Sequence, residues 1–251
     1  MSTRCWLIWP DGVAMGYKRT ISPLTGDIVS VPARLAGLGM ALGVEPEAEA
    51  NIEDALLAAV REGMEAGDLR LLGLVTAWLE RYRPWVNADR IIRCLRAEPS
   101  PRIQAFWCSR AQDWARDQRW KRLRTTPVDP VDLLPVGTAF HLARNGEDPR
   151  FQGTVLRVPN GTLRDRPGDV EAAHEIARRH HAFRWRILVG PGYRADCLAC
   201  LEVHPEVTAA ELARRTYASF ATAWGVMRDV RLLGGLSAVV QRLQVPTSVV
   251  S

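Results

Sequence analysis

The feature that most constrains the fold of this chain is a helical spacing of apolar residues that recurs from residue 52 to residue 114. Apolar side chains return every three or four residues there, which places them on one face of an α-helix. Pro84 interrupts the pattern, and Asn87 and Ser100 stand where helix N-caps are expected, with Pro101 in the first turn that follows. The sequence therefore predicts a mainly α protein whose first half is a series of helices.

An acidic segment lies at the start of this series. Residues 44–68 hold eight acidic residues and one arginine, a local charge of −7, so the remaining chain carries +12 to give the total of +5. Because phosphate would repel this segment, we expect it to face away from nucleic acid and towards a cationic partner.

A basic run follows in residues 110–124, where six cations outnumber two aspartates and Trp120 stands among them. Arginine contacts phosphate and an aromatic ring can stack on a base, so the run is a candidate secondary basic patch for nucleic acid. The alternative is a helix end whose cations interact with the helix dipole and with acidic side chains, such as those of residues 44–68. The candidate residues of the patch are Arg116, Arg119, Lys121, Arg122 and Arg124.

Two prolines and few apolar residues in residues 125–130 predict a domain junction. We place an N-terminal helical domain at residues 1–127, suited to dimerisation or partner binding, and a mixed domain at residues 128–251. Small β content is expected in the mixed domain, because residues 154–158 alternate in polarity and Asn160-Gly161 after them is a hairpin signal.

The cellular location follows from cysteine count and from apolar run length. Five cysteines are an odd number, and we expect no signal peptide, so reduced thiols are predicted. Apolar stretches such as residues 5–9 fall far short of the roughly 20 residues that a membrane helix needs. We expect a cytoplasmic protein without membrane contact.

Cysteine and histidine spacing raises the question of a metal site. Cys197, Cys200 and His204 have the spacing of half a zinc site, which His180 or His181 could complete. A structural site normally brings a second close pair of ligands, and both cysteines fall within one predicted helix whose apolar side accounts for them as small buried thiols. We therefore predict no metal ligand.

The sequence lacks the Gly-x-Ser-x-Gly, Walker, dinucleotide and His-Glu-x-x-His motifs. An enzyme acting on nucleic acid through His174, His180 or His181 is the least favoured alternative, so we assign no catalytic residue and no cofactor and do not expect an enzyme. Arg164-Asp165-Arg166 and Arg184-Trp185-Arg186 could bind a phosphorylated ligand, although such runs more often form surface ion pairs.

The most informative segment begins at Thr208. Thr208 and Glu211 have the spacing of a capping box, which predicts a helix start, and Ser219 can cap a second helix eleven residues later. The interval leaves a first helix of about two turns and a turn of three to four residues, the proportions of a helix-turn-helix. Ala213 is small where the two helices must cross.

Residues 205–235 resemble the helix-turn-helix of bacterial winged-helix regulators, a superfamily that includes antitoxins which repress their own promoters. The resemblance implies that the second helix faces the major groove, that Gly234-Gly235 turns the chain into a wing, and that arginines contact phosphates. Tyr217 stands where the turn usually has glycine, so it must avoid a positive φ or accept steric strain. The implied DNA-binding residues are Arg214, Arg215, Ser219, Phe220, Thr222, Arg228 and Arg231.

These observations predict a mainly α protein of two domains, with a C-terminal winged helix-turn-helix that binds double-stranded DNA. The expected function is transcriptional regulation. One form of it is an autoregulating antitoxin, which would also bind a protein partner. The alternative is a non-catalytic adaptor or assembly subunit of a larger complex, for example in defence, which binds protein through tryptophan-rich helical faces. A homodimer is compatible with both functions.

Overall fold

The computed structural model describes residues 30–166 and 168–236, and residues 5–9 therefore lie outside it. As predicted, the described chain is mainly helical with small β content. It comprises α1 (Val31–Gly37), α2 (Ile52–Glu65), α3 (Leu69–Tyr82), α4 (Ala88–Leu95), α5 (Pro101–Asp113), α6 (Lys121–Arg124), β1 (Val131–Asp132), α7 (Thr138–Asn145), β2 (Leu156–Arg157), α8 (Ala173–Arg179), α9 (His181–Val189), α10 (Tyr193–Val203), α11 (Ala209–Thr216) and α12 (Phe220–Leu232), with short 3-10 turns at Arg83–Trp85 and Gln118–Trp120.

The helices of the first half begin where the sequence predicts them. The side chain of Asn87 accepts a hydrogen bond of 3.3 Å from the backbone N–H of Arg90 and so caps α4. Ser100 precedes α5 and Pro101 occupies its first turn, where the missing proline N–H leaves no helical hydrogen bond unmade.

A first apolar cluster fills the space between α1 and the start of α9, and Trp78, Trp107 and Trp120 are among its fully buried side chains. Trp120 stacks on Trp107 with ring centroids 6.3 Å apart. The expectation that Trp120 stands among exposed cations to stack on a base is therefore wrong, because its ring belongs to the core.

The predicted β content is present, but it does not form a hairpin. β2 pairs in parallel with β1, with Val131 opposite Leu156, and residues 162–164 form no strand. The hydroxyl of Ser109 on α5 accepts a hydrogen bond of 2.8 Å from the backbone N–H of Leu156, which anchors β2 against a helix. The hairpin prediction at Asn160-Gly161 is wrong because long-range contacts decide the pairing.

A second apolar cluster joins Trp185 to α10, α11 and α12. The first cluster meanwhile includes Leu133, Phe151 and Phe183, all of which follow the predicted junction at residue 127. The division into residues 1–127 and 128–251 stays a prediction. Among the described helices, none combines the length and the apolar character needed to cross a membrane.

Candidate nucleic-acid interface

The segment with helix-turn-helix proportions consists of α11, a turn of residues 217–219 and α12. The hydroxyl of Thr208 accepts a hydrogen bond of 3.2 Å from the backbone N–H of Glu211, and that of Ser219 accepts one of 3.0 Å from Thr222. Both helices thus start at the predicted caps. Leu212 and Ala223 are buried where α11 and α12 pack together against α10.

The wing predicted after these helices is not shown. Gly234 and Gly235 have positive φ just after the end of α12. The residues that would form a wing beyond residue 236 lie outside the described part of the chain.

One face of α12 is open to solvent. Phe220 is 53% exposed and Trp224 is 51% exposed, whereas Ala223 and Val226 point into the second cluster. At 100° per residue, Phe220, Trp224 and Arg228 fall within one third of the helix circumference. Sequence reasoning missed Trp224, although its spacing of four residues from Phe220 is a signal that could have found it.

The predicted serine and threonine at the start of α12 have structural partners. The hydroxyls of Ser219 and Thr222 lie 2.7 Å apart, and Ser219 also caps the helix. Thr222 is half-buried, so Phe220 and Ala221 are the more exposed side chains of the first turn.

The predicted arginines lie on α11 and α12, and three of the four pair with an acidic side chain. Arg214 and Arg215 both pair with Glu211. Arg228 pairs with Asp229 at 2.8 Å, and its guanidinium lies 5.6 Å from the ring centroid of Trp224.

Arg194 and Arg231 are two further arginines near Arg228. Arg194 on α10 also pairs with Asp229, at 3.1 Å. Arg231 is exposed and forms no ion pair with any described residue.

Tyr217, in the turn, adopts a left-handed backbone conformation, which glycine adopts without strain and tyrosine does not. Its φ is 57°, which makes it the single non-glycine residue with positive φ in the described ranges. Its hydroxyl donates a hydrogen bond of 2.8 Å to Asp54, and the guanidinium of Arg90 lies 3.3 Å from its ring centroid. Burial, together with Asp54, raises the pKa of Tyr217 to about 12. These contacts with α2 and α4 offset the strain, which is of order 1–3 kcal/mol.

A buried ion cluster joins α2, α9 and α10. Arg186 on α9 is fully buried and makes two hydrogen bonds to Glu53 on α2 and two to Asp196 on α10. Burial works against the charge of Arg186, but the two carboxylates outweigh it and raise its pKa. Burial also raises the pKa of Asp196 to about 6.

This cluster corrects the expectation for two of the eight acidic residues in the acidic segment, whereas Glu45, Glu49, Glu62 and Glu65 are exposed. Glu53 and Asp54 do not form a solvated face for an external cationic partner. They pair with Arg186 and with Arg90 of the same chain. The acidic residues at the start of α2 therefore help to hold the helix-turn-helix segment against the helical body.

The secondary basic patch divides into two groups. Arg119 donates to Asp117 and to the backbone carbonyls of Pro84 and Val86, and Arg124 donates to the carbonyls of Trp114 and Asp117. The acidic partners of the run are thus Asp117, together with Glu80 and Asp113 for the buried Arg110, rather than residues 44–68. The remaining predicted residues, Arg116, Lys121 and Arg122, are exposed.

The predicted cysteine helix is α10. Cys197 is buried beside the hydroxyl of Thr216 at 3.3 Å, and burial raises the pKa of Cys197 to about 12. His204 lies 3.2 Å from a carboxylate oxygen of Glu49. Within the described residues no group of three or more histidine, cysteine or acidic side chains is placed to hold a metal ion.

Comparison with known proteins yields no relative, since no protein-family model, no curated protein and no solved structure matches the chain.

Proposed function

We propose that the protein binds double-stranded DNA by placing the start of α12 in the major groove, and that it acts as a transcriptional regulator. The observation that carries this proposal is the uncovered face of α12, on which Phe220, Trp224 and Arg228 are exposed while the opposite face packs against α10 and α11. A helix in a groove needs such a free face along its first turns.

The charge around this face supports contact with phosphate. Glu211 is shared by Arg214 and Arg215 and Asp229 by Arg194 and Arg228, so each of these two groups keeps a net positive charge. Glu206 lies in a groove with Trp224, Arg228 and Arg231 and offsets part of this charge. Arg231 adds a further cation. Arginines at the ends of a helix-turn-helix fix its register on the duplex through phosphate.

An autoregulating antitoxin would combine this DNA surface with a surface for a protein partner. The helical body, which contains the first apolar cluster, contacts the turn before α12 through the hydrogen bond between Tyr217 and Asp54. A partner bound to the body could therefore change how the segment meets DNA.

Fluorescence anisotropy with a labelled duplex from the protein's own promoter tests the proposal at two salt concentrations. Affinity should fall as salt rises, and Arg228→Ala plus Arg231→Ala should reduce the slope of log affinity against log salt by roughly 1 for each phosphate that the variant no longer neutralises. Arg144→Ala plus Arg178→Ala removes the same charge from α7 and α8 and serves as the matched control. Binding that is indifferent to salt, or equal losses of affinity in both double variants, would rule the proposal out.

Protein binding through the same face is the second candidate function. It is favoured by the large exposed apolar area of Phe220 and Trp224, since aromatic side chains often dominate protein interfaces. Co-purification separates the two functions. The adaptor is favoured if the wild-type protein co-purifies with a stoichiometric protein partner and no DNA, and if Trp224→Ala loses that partner.

A further inference from the structure

Two arginines of the Arg164-Asp165-Arg166 run are not used by the proposed DNA surface. Arg164 and Arg166 are exposed, and neither forms an ion pair with another described residue. Arg70 on α3 is exposed near them and donates a hydrogen bond of 3.0 Å to the carbonyl of Ala41. The surface ion pairs expected for Arg164-Asp165-Arg166 are therefore not made by these two guanidinium groups.

The three arginines line one groove of about 580 Å³ beside the first turns of α3. Thr162 and Gly161 contribute a hydroxyl and a side-chain-free backbone, and Leu69 and Leu74 contribute apolar surface. Among the described residues that line this groove, Asp169 is the one acidic side chain. The groove thus combines an excess of positive charge with an apolar wall.

The loop that carries Arg164 is held tightly against α3. A Cβ atom on Gly73 would lie 2.9 Å from the backbone oxygen of Arg164, so the close approach depends on glycine at this position. Leu163 is 3% exposed, and its carbonyl accepts a hydrogen bond of 2.7 Å from Arg150. Arg164 is consequently presented from a fixed backbone.

The far end of the same loop is also held. The backbone N–H of Asp169 donates a hydrogen bond of 3.1 Å to the carbonyl of Arg166. The carbonyl of Asp169 in turn accepts one of 2.9 Å from the N–H of Ala41. Because the backbone at Arg164 and Asp169 is held by these contacts before a ligand arrives, less conformational entropy is lost when the arginines bind.

The groove is separate from the α12 surface. Asp54, in the first turn of α2, contacts the turn before α12, whereas Leu69 follows the end of α2. A helix of the length of α2 spans about 20 Å at 1.5 Å per residue. The two surfaces therefore lie at opposite ends of α2.

We propose that this groove binds a small phosphorylated ligand of nucleotide size. Guanidinium groups bind phosphate oxygens through paired charge-assisted hydrogen bonds. The groove offers three guanidinium groups, those of Arg70, Arg164 and Arg166. The apolar wall of Leu69 and Leu74 would contact the organic part of the ligand. The volume falls in the range of about 300–1,000 Å³ that is usual for small-molecule sites.

Isothermal titration calorimetry on the full chain tests this site with ATP, AMP and inorganic pyrophosphate as probes. We expect ATP to bind more tightly than pyrophosphate, and Arg164→Ala plus Arg166→Ala to weaken ATP binding by at least about tenfold. Arg144→Ala plus Arg178→Ala is the matched control for the removal of charge and should leave the ATP affinity unchanged. Gly73→Ala keeps every charge but displaces the loop, and should also weaken binding.

Three outcomes would overturn the assignment. One is the absence of binding by any probe, and another is an equal loss of ATP affinity in the control double variant. The third is competition between a DNA duplex and ATP that depends on Arg164 and Arg166, which would make the groove part of a DNA surface. Because the groove variants leave α12 intact, failure of this site is distinguishable from failure of promoter binding.

Discussion

The hydroxyl of Tyr217 donates a hydrogen bond of 2.8 Å to Oδ2 of Asp54, which ties the turn between α11 and α12 to the first turn of α2. The turn residue therefore does more than connect two helices. It fixes the orientation of α12 relative to the helical body, at a position where its own backbone is strained.

The first prediction concerns this hydrogen bond. Tyr217→Phe keeps the ring under Arg90 but removes the donor, and should lower the free energy of unfolding by about 1–2 kcal/mol. Urea unfolding of Tyr217→Phe, Asp54→Ala and the double variant gives the coupling energy between the two side chains. Strictly additive effects would show that the hydrogen bond contributes nothing.

The second prediction concerns the buried ion cluster. Arg186→Ala leaves Glu53 and Asp196 buried without their cation, and should lower the free energy of unfolding by about 3–5 kcal/mol. Arg178→Ala, which removes an exposed arginine paired with Glu175, should change it by less than about 0.5 kcal/mol. Equal effects of the two variants in urea unfolding would contradict the role of Arg186.

The third prediction concerns pH. Burial, assisted by the charge of Arg186, lowers the pKa of His180 to about 3. The neutral ring has Nε2 3.1 Å from the carbonyl of Ala50, while Nδ1 accepts from the N–H of Phe183 at 3.2 Å. The folded pKa lies below the unfolded value of about 6.5, so this contribution to stability is complete above pH 6.5 and is lost as pH falls towards 3.

Urea unfolding between pH 7 and pH 4 checks this sign. His180 should contribute a slope of up to about 1.4 kcal/mol per pH unit below pH 6, and His180→Gln should lower the slope of the profile by that amount. Asp196, whose pKa is raised to about 6, contributes with the opposite sign in both proteins. His174 is exposed, so His174→Gln is the control and should leave the profile unchanged. A wild-type slope that survives in His180→Gln would assign the acid sensitivity to other groups.

The fourth prediction rests on the proposed DNA binding. The first turn of α12 exposes Phe220 and Ala221, which offer apolar contact rather than hydrogen bonds to base edges. Thymine carries a C5-methyl group in the major groove, so replacing thymine by deoxyuridine in the bound duplex should weaken binding by about fourfold for each contacted methyl. Anisotropy titrations with both duplexes measure the difference. Phe220→Ala should abolish it, and an unchanged difference in this variant would exclude Phe220 as the contact.

Local signals in the sequence were sufficient to predict where several helices begin. A cap and the residues that follow it interact within one turn, which is why Asn87, Thr208 and Ser219 predict the starts of α4, α11 and α12. The apolar spacing likewise places Leu212 and Ala223 inside, and the open face of α12 follows from the same periodicity.

Contacts between residues distant in the chain decided the rest. Asp54 and Tyr217 are 163 positions apart, and Glu53 and Arg186 are 133 apart, so no local pattern shows that the acidic segment pairs inside the molecule. The partner of β2 and the burial of Trp120 depend in the same way on what packs against them. Short-range hydrogen bonding thus determined where helices begin, whereas burial and charge pairing in three dimensions determined which surfaces remain free to bind.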